Sequence, residues 1–96
     1  DELGLSIQDI TPELAREFKL DRGANGVVVT RVTRGSPAEE AGIRPGDIIE
    51  TVGNAPISNA ADFRERVADR DEGEGVLVLV RRGEQTLFRV IKPVEE

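Results

Sequence analysis

The chain holds no cysteine and no histidine. Thiol chemistry, Cys- and His-type metal sites and any Ser-His or Cys-His nucleophile are therefore excluded. Zero cysteine fits either redox compartment and does not locate the protein. Tryptophan and tyrosine are absent and the aromatics are Phe18, Phe63 and Phe88, too few for base-stacking platforms. A basic surplus is lacking too. The net charge is −6 and the Lys and Arg residues are scattered among acids, whereas a nucleic-acid binder clusters them to neutralise phosphates. No apolar run approaches the roughly 20 residues that span a bilayer. No signal peptide is visible. A start directly on a strand leads us to expect a piece excised from a longer protein.

What is present is one soluble domain's worth of material. The 96 residues, 38% hydrophobic and 33% charged, suffice for a single modest core. Leu5, Ile7 and Ile10 read as a first strand. Thr11 caps a helix with Pro12 at its first position and an apolar stripe of Leu14, Ala15 and Phe18. Asp21–Asn25 is a polar loop. Gly26–Thr33, rich in β-branched residues, is a second strand.

The middle stretch, GSPAEEAGIRPGDIIETV, is the most patterned. Ser36 caps a short helix, with Pro37 first and Glu39 three after the cap, a capping box. Gly42 follows as a left-handed stop. Pro45-Gly46 occupy the centre of a type II turn, and Asp47 leads into a third strand ending at Val52. Gly35, Gly42, Pro45 and Gly46 are read as structural, and Asp47 as a turn or hydrogen-bonding group. Gly53-Asn54 turns the chain into a short extended Pro56-Ile57.

Ser58 or Asn59 caps the longest helix, Ala60 to about Arg70, whose apolar positions are Ala60, Phe63, Val67 and Ala68. Val76–Val80 is a continuous apolar run, the mark of a strand buried on both faces. Thr86–Ile91 returns beside it after a turn at Arg82-Gly83. Arg81 and Arg82 are read as keeping that turn soluble. Asp62, Glu65 and Asp69 are read as a solvated helix face, with Asp62 and Arg66 an i, i+4 pair. The class is α+β: about five short strands in a small, partly closed sheet, with two or three helices.

Gly4 stands out in the opening Leu3-Gly4-Leu5-Ser6-Ile7. Glycine weakens a strand interior unless the backbone turns or is closely approached there. Together the residues have a recognisable order: Leu-Gly-Leu-Ser-Ile, then GSPAEEAGIRPGDII, then a Pro-Ile pair, a long helix and a closing hairpin. This resembles a PDZ domain, in the circularly permuted form of bacterial HtrA/Deg-type serine proteases, from Leu3 to about Pro93. The stretch LGLSIQDITPELAREFKL is most similar to the second of two PDZ domains in DegQ/MucD-like members.

The resemblance implies a PDZ-like sandwich or barrel filling residues 1–96 (core 3–93), non-catalytic and without cofactor. It implies a carboxylate-binding loop at Leu3, Gly4 and Leu5. Ser6 and Ile7 then belong to the strand on which a peptide adds. Ala60, Arg64 and Val67 line the groove from the long helix. Phe63 then faces the core, and a one-residue change of helix register would bring it into the groove instead. With Ala60 in that place, an apolar ligand residue is expected two before the ligand's end. The implied partners are C-termini or exposed apolar segments of unfolded polypeptides, and the other domains of a parent trypsin-like protease in its oligomer. The implied place is a bacterial periplasm. The alternative is an assembly element that contacts neighbouring domains and binds peptide weakly.

Overall fold

The computed structural model describes residues 3–20, 25–69 and 75–92. Along the chain run β1 (Leu5–Asp9), α1 (Pro12–Glu17), β2 (Val27–Val32), α2 (Pro37–Glu40), β3 (Ile48–Val52), β4 (Ala55–Pro56), α3 (Ala60–Ala68), β5 (Val76–Arg82) and β6 (Gln85–Ile91). The fold is α+β, with six strands and three helices. The strands form one sheet in the order β1-β2-β3-β5-β6, with β4 beside β3. Every pairing is antiparallel. The sheet is not closed, and β1 and β6 end its main path.

Each helix begins where its cap predicts. The Leu14 N–H donates to Thr11 Oγ1 (3.1 Å) ahead of α1, and the Glu39 N–H to Ser36 Oγ (3.2 Å) ahead of α2. The return half of the α2 capping box shifts by one residue. Glu39 Oε1 accepts from the Gly35 N–H (2.8 Å), because the Ser36 N–H already donates to the Thr33 carbonyl. At the other end of α2 the Ile43 N–H donates to the Ala38 carbonyl and the Gly42 N–H to that of Glu39, the paired bonds of a Schellman stop. Asn59, not Ser58, caps α3: its Oδ1 accepts from the Asp62 N–H (2.8 Å). Asp62 is not simply solvated, since its Oδ2 accepts from the Ser58 N–H (3.0 Å) and closes a second capping box. The helix ends at Ala68. Arg70 and most of the Asp21–Asn25 loop lie outside the described residues.

The main core lies on one face of the sheet. Leu3, Leu5, Ile7, Val27, Val29 and Ile49 pack there with Ala38 of α2, Phe63 of α3 and the inward valines of β5. Val28 and Ile48, which alternate away from it, are buried as well. The continuous run Val76–Val80 is not buried on both faces. Val76, Val78 and Val80 are buried, while Leu77 is exposed and Leu79 half-buried. Burial on both faces needs helices on both, and in this antiparallel sheet the hairpin's outer face stays open. Leu77 pairs with Val90 and Leu79 with Phe88 across it. Val90 is 48% and Phe88 64% exposed, so the outer face carries a continuous apolar patch.

Candidate functional site

β1 is an edge strand, and that is the first requirement of any site that adds a strand. It pairs with β2 on one side. The β2 partner holds one extra residue opposite the Ser6/Ile7 step, and Thr30 Oγ1 donates to the Ser6 carbonyl there (3.3 Å). The alternation of β1 is undisturbed: Leu5 (2% exposed) and Ile7 (9%) point into the core, and Ser6 and Gln8 are exposed.

α3 packs against β1 and is tied to its end. Asp9 Oδ1 accepts from the Ala60 N–H (2.7 Å), one of the helix N-terminal amides that lack an intrahelical partner. Leu5, Ile7 and Phe63 fall in a single buried cluster, against which Ala60 and Val67 rest half-buried. Arg64 lies outside it, exposed. The structure thus brings Leu3, Leu5, Ile7, Ala60, Phe63 and Val67 into one cluster, and leaves Ser6 and Arg64 exposed outside it.

The Leu3-Gly4 segment is stitched in place at both residues. The Thr33 N–H donates to the Gly4 carbonyl (2.7 Å) and the Ala38 N–H to that of Leu3 (3.0 Å). The second bond satisfies an amide in the first turn of α2. Gly4 has φ +81°, in the left-handed region that side chains disfavour. A Cβ built on it would overlap Ser36 Cβ and sit 2.6 Å from Ser36 Oγ. Gly4 therefore has a packing reason of its own: it is the contact point between the start of β1 and the cap of α2.

A second polar centre sits at the start of β3. Asp47 is 2% exposed, and its carboxylate is fully engaged. Oδ1 accepts from Arg82 Nε (2.9 Å), and Oδ2 from Arg82 Nη2 (2.7 Å) and the Arg44 N–H (2.9 Å). Arg82 Nη2 also donates to the Gly42 carbonyl (2.8 Å). The hydrogen bonds to Asp47 hold the guanidinium pKa above its ordinary value, outweighing the lowering by burial. Arg82 is thus a structural strap across α2, β3 and β5 rather than a solubilising turn residue. Strand parity carries the missed signal. Counting by twos from Val76, Val78 and Val80 places Arg82 on the inward side, where an arginine needs a carboxylate. Arg81, on the outer side, has its Nε 3.9 Å from Glu50 Oε2.

This centre is not at the groove. Asp47 precedes Ile48, which pairs with Val28, whereas Gly4 precedes Leu5, which pairs with Val32. Four residues along β2 separate the two by about 13 Å. A cavity of about 240 Å³ between Phe18–Leu20, the Pro45-Gly46 turn and Arg81–Gly83 also lies at that other end. Cavity volume is a poor guide here, because an edge strand binds along its length rather than in a hole. Among the described residues no three His, Cys, Asp or Glu side chains are placed to hold a metal ion, and no helix is long and apolar enough to cross a membrane.

Comparison with known proteins agrees with this geometry. The PDZ domain family profile matches residues 28–82. The chain is 33% identical over 93 residues to the Chlamydia trachomatis protein named "Probable periplasmic serine endoprotease DegP-like", covering 97% of this chain and 18% of that protein. It is 32% identical over 96 residues to "Serine protease HTRA2, mitochondrial" of Bos taurus, covering 95% of this chain and 20% of that protein. The crystal structure of the HtrA3 PDZ domain bound to a phage-derived ligand (FGRWV) superimposes with a TM-score of 0.80 at 32% identity, covering 96% of this chain and 83% of that one. The chain spans about a fifth of the length of these two proteases.

Proposed function

This chain belongs to the PDZ domain family, and from that premise we propose that it is a non-catalytic peptide-binding module of a larger HtrA/Deg-type serine protease. The ligand is the free C-terminus, or an exposed apolar segment, of an unfolded polypeptide. It adds as an antiparallel strand to β1, with its carboxylate at Leu3-Gly4-Leu5 and its last side chain between Leu5, Ile7 and Val67. The observation that carries this reading is the arrangement of β1, a sheet edge with apolar Leu5 and Ile7 turned toward α3. The peptide in the HtrA3 PDZ crystal structure supports it.

The energetics suit a module. Three or four backbone hydrogen bonds contribute about 1 kcal/mol each, one buried aliphatic side chain about 1.5–3 kcal/mol, and association costs at least about 4 kcal/mol. Two charge-assisted bonds to the carboxylate add about 1.5–3 kcal/mol each. A Kd near micromolar, about −8 kcal/mol, is the upper end, and tighter capture needs several linked domains.

The parent enzyme acts in envelope protein quality control in the periplasm. The name of the Chlamydia relative supports that location. The wording from Leu3 to Leu20 supports a second PDZ domain of a DegQ/MucD-like protease. A second reading, assembly with neighbouring domains, is favoured by the open apolar face of Leu77, Leu79, Phe88 and Val90.

The test is a titration with apolar-ended peptides, each as free acid and as C-terminal amide, followed by amide NMR shifts. Binding of the acid alone at micromolar to submillimolar Kd, with shifts at Leu3–Ile7, is the expected result. Equal binding of the amide refutes the carboxylate loop. No binding of either form leaves assembly as the function.

A further inference from the structure

Strand alternation turns Leu5, Ile7 and Asp9 of β1 to the same side. The first two are buried and apolar; the third is an exposed carboxylate. It is a fixed one, since Oδ1 is held by the Ala60 N–H at 2.7 Å. This is the side-chain hydrogen bond that joins the two walls of the groove among the described residues. Asp9 thereby sits at the far end of the groove from Gly4. No lysine or arginine pairs with it among the described residues, and the partner it has there is the Ala60 amide. Arg64, the cation of that helix face, stands a full turn away from Ala60.

We infer that Asp9 is a specificity-determining residue: it forms a subsite for a lysine or arginine side chain four residues before the ligand's C-terminus. The inference rests on the proposed addition of a strand to β1. If the ligand's last side chain enters on the Leu5 side, those two and four residues earlier fall on the same face and pass Ile7 and then Asp9. An ammonium or guanidinium there meets a carboxylate whose geometry is already set on one oxygen and whose other oxygen can accept a charge-assisted bond. Because Asp9 is exposed, the preference is modest and sensitive to salt.

The experiment uses three free-acid peptides, identical and apolar at the end, with Lys, Ala or Glu four residues before the terminus. Each is titrated calorimetrically into the wild type and Asp9→Asn. The asparagine keeps an oxygen for the Ala60 amide and removes the charge. On the wild type the Lys peptide should bind about three- to tenfold tighter than the Glu peptide at low salt, with the gap closing near 0.5 M salt, where the screening length is only a few Å. Asp9→Asn should bind all three alike, at the wild-type affinity for the Ala peptide. Equal binding of Lys and Glu peptides by the wild type overturns the inference, as does a gap that survives in Asp9→Asn. In both cases binding of the Ala peptide shows that strand addition itself stands. If no peptide binds, strand addition fails and the subsite falls with it.

Discussion

Replacing Gly4 by alanine tests why a glycine begins β1. Two costs follow from the structure. Gly4 has φ +81°, and an L-residue held in that region loses about 1–2 kcal/mol. The new Cβ would also overlap Ser36 Cβ and approach Ser36 Oγ to 2.6 Å. Ser36 Cβ is fixed to the backbone of the α2 cap and cannot swing away, so the overlap costs about 1–3 kcal/mol more, as in overpacked cores. Gly4→Ala should therefore lower stability by about 2–5 kcal/mol, read as a fall of roughly 1–3 M in the urea midpoint. Ser36→Gly removes both clashing atoms and leaves Ser36 Cα at 3.5 Å, an ordinary contact. Glycine is also an acceptable N-cap, costing only a few tenths of a kcal/mol (about 0.3) against serine. In the Ser36→Gly background, Gly4→Ala should then cost only the backbone part. The expected coupling in the double-mutant cycle is about 1–3 kcal/mol. Additive effects, within about 0.5 kcal/mol, would refute the contact. The cycle matters for function, because lost peptide binding in Gly4→Ala alone would conflate damage to the proposed carboxylate loop with a displaced α2 cap.

Three further outcomes follow from polar and backbone features away from the groove. Arg82→Ala strands the buried Asp47 carboxylate and should cost about 3 kcal/mol, the low end for a broken buried pair, since the Arg82 side chain is 26% exposed; the double variant Asp47→Leu with Arg82→Met should recover most of the urea midpoint. A pKa raised in the folded state stabilises fully below the unfolded value and is lost only as pH rises through the folded one. The raised Arg82 value thus means that arginine deprotonation removes none of this contribution up to pH 10, and a midpoint difference that shrinks between pH 8 and 10 would contradict it. Lys19, at φ 56°, is the one non-glycine residue with positive φ among the described residues. Lys19→Gly should raise stability by about 0.5–1 kcal/mol, the strain relieved less the added chain entropy, and a lowered midpoint would show that the lysine stem makes contacts worth more than its strain.

Local chemistry was legible in the linear order of residues wherever its cause lies within a few positions. Thr11-Pro12, Ser36-Pro37 and Gly42 announce their caps because the partner amides and carbonyls lie three to five residues off. Pro45-Gly46 announces its turn for the same reason, and the Asp47 N–H closes it on the Arg44 carbonyl. Period-2 burial along β1 and the strand–helix order were legible too, and with them the α+β class. Long-range partnership was not. Which face of Val76–Val80 stays open depends on what packs there, and no local pattern records that β5 and β6 have helices on one side only. Arg82 belongs to Asp47, 35 positions earlier, and Asp9 to Ala60, 51 positions later. Gly4 is needed because Ser36, remote in sequence, sits against it. The chain alone thus determined its caps, turns, strands and lack of thiol and imidazole chemistry. Tertiary structure decided which polar groups meet, which apolar face remains uncovered, and how β1 and α3 are joined, because those depend on distances that only the folded sheet creates.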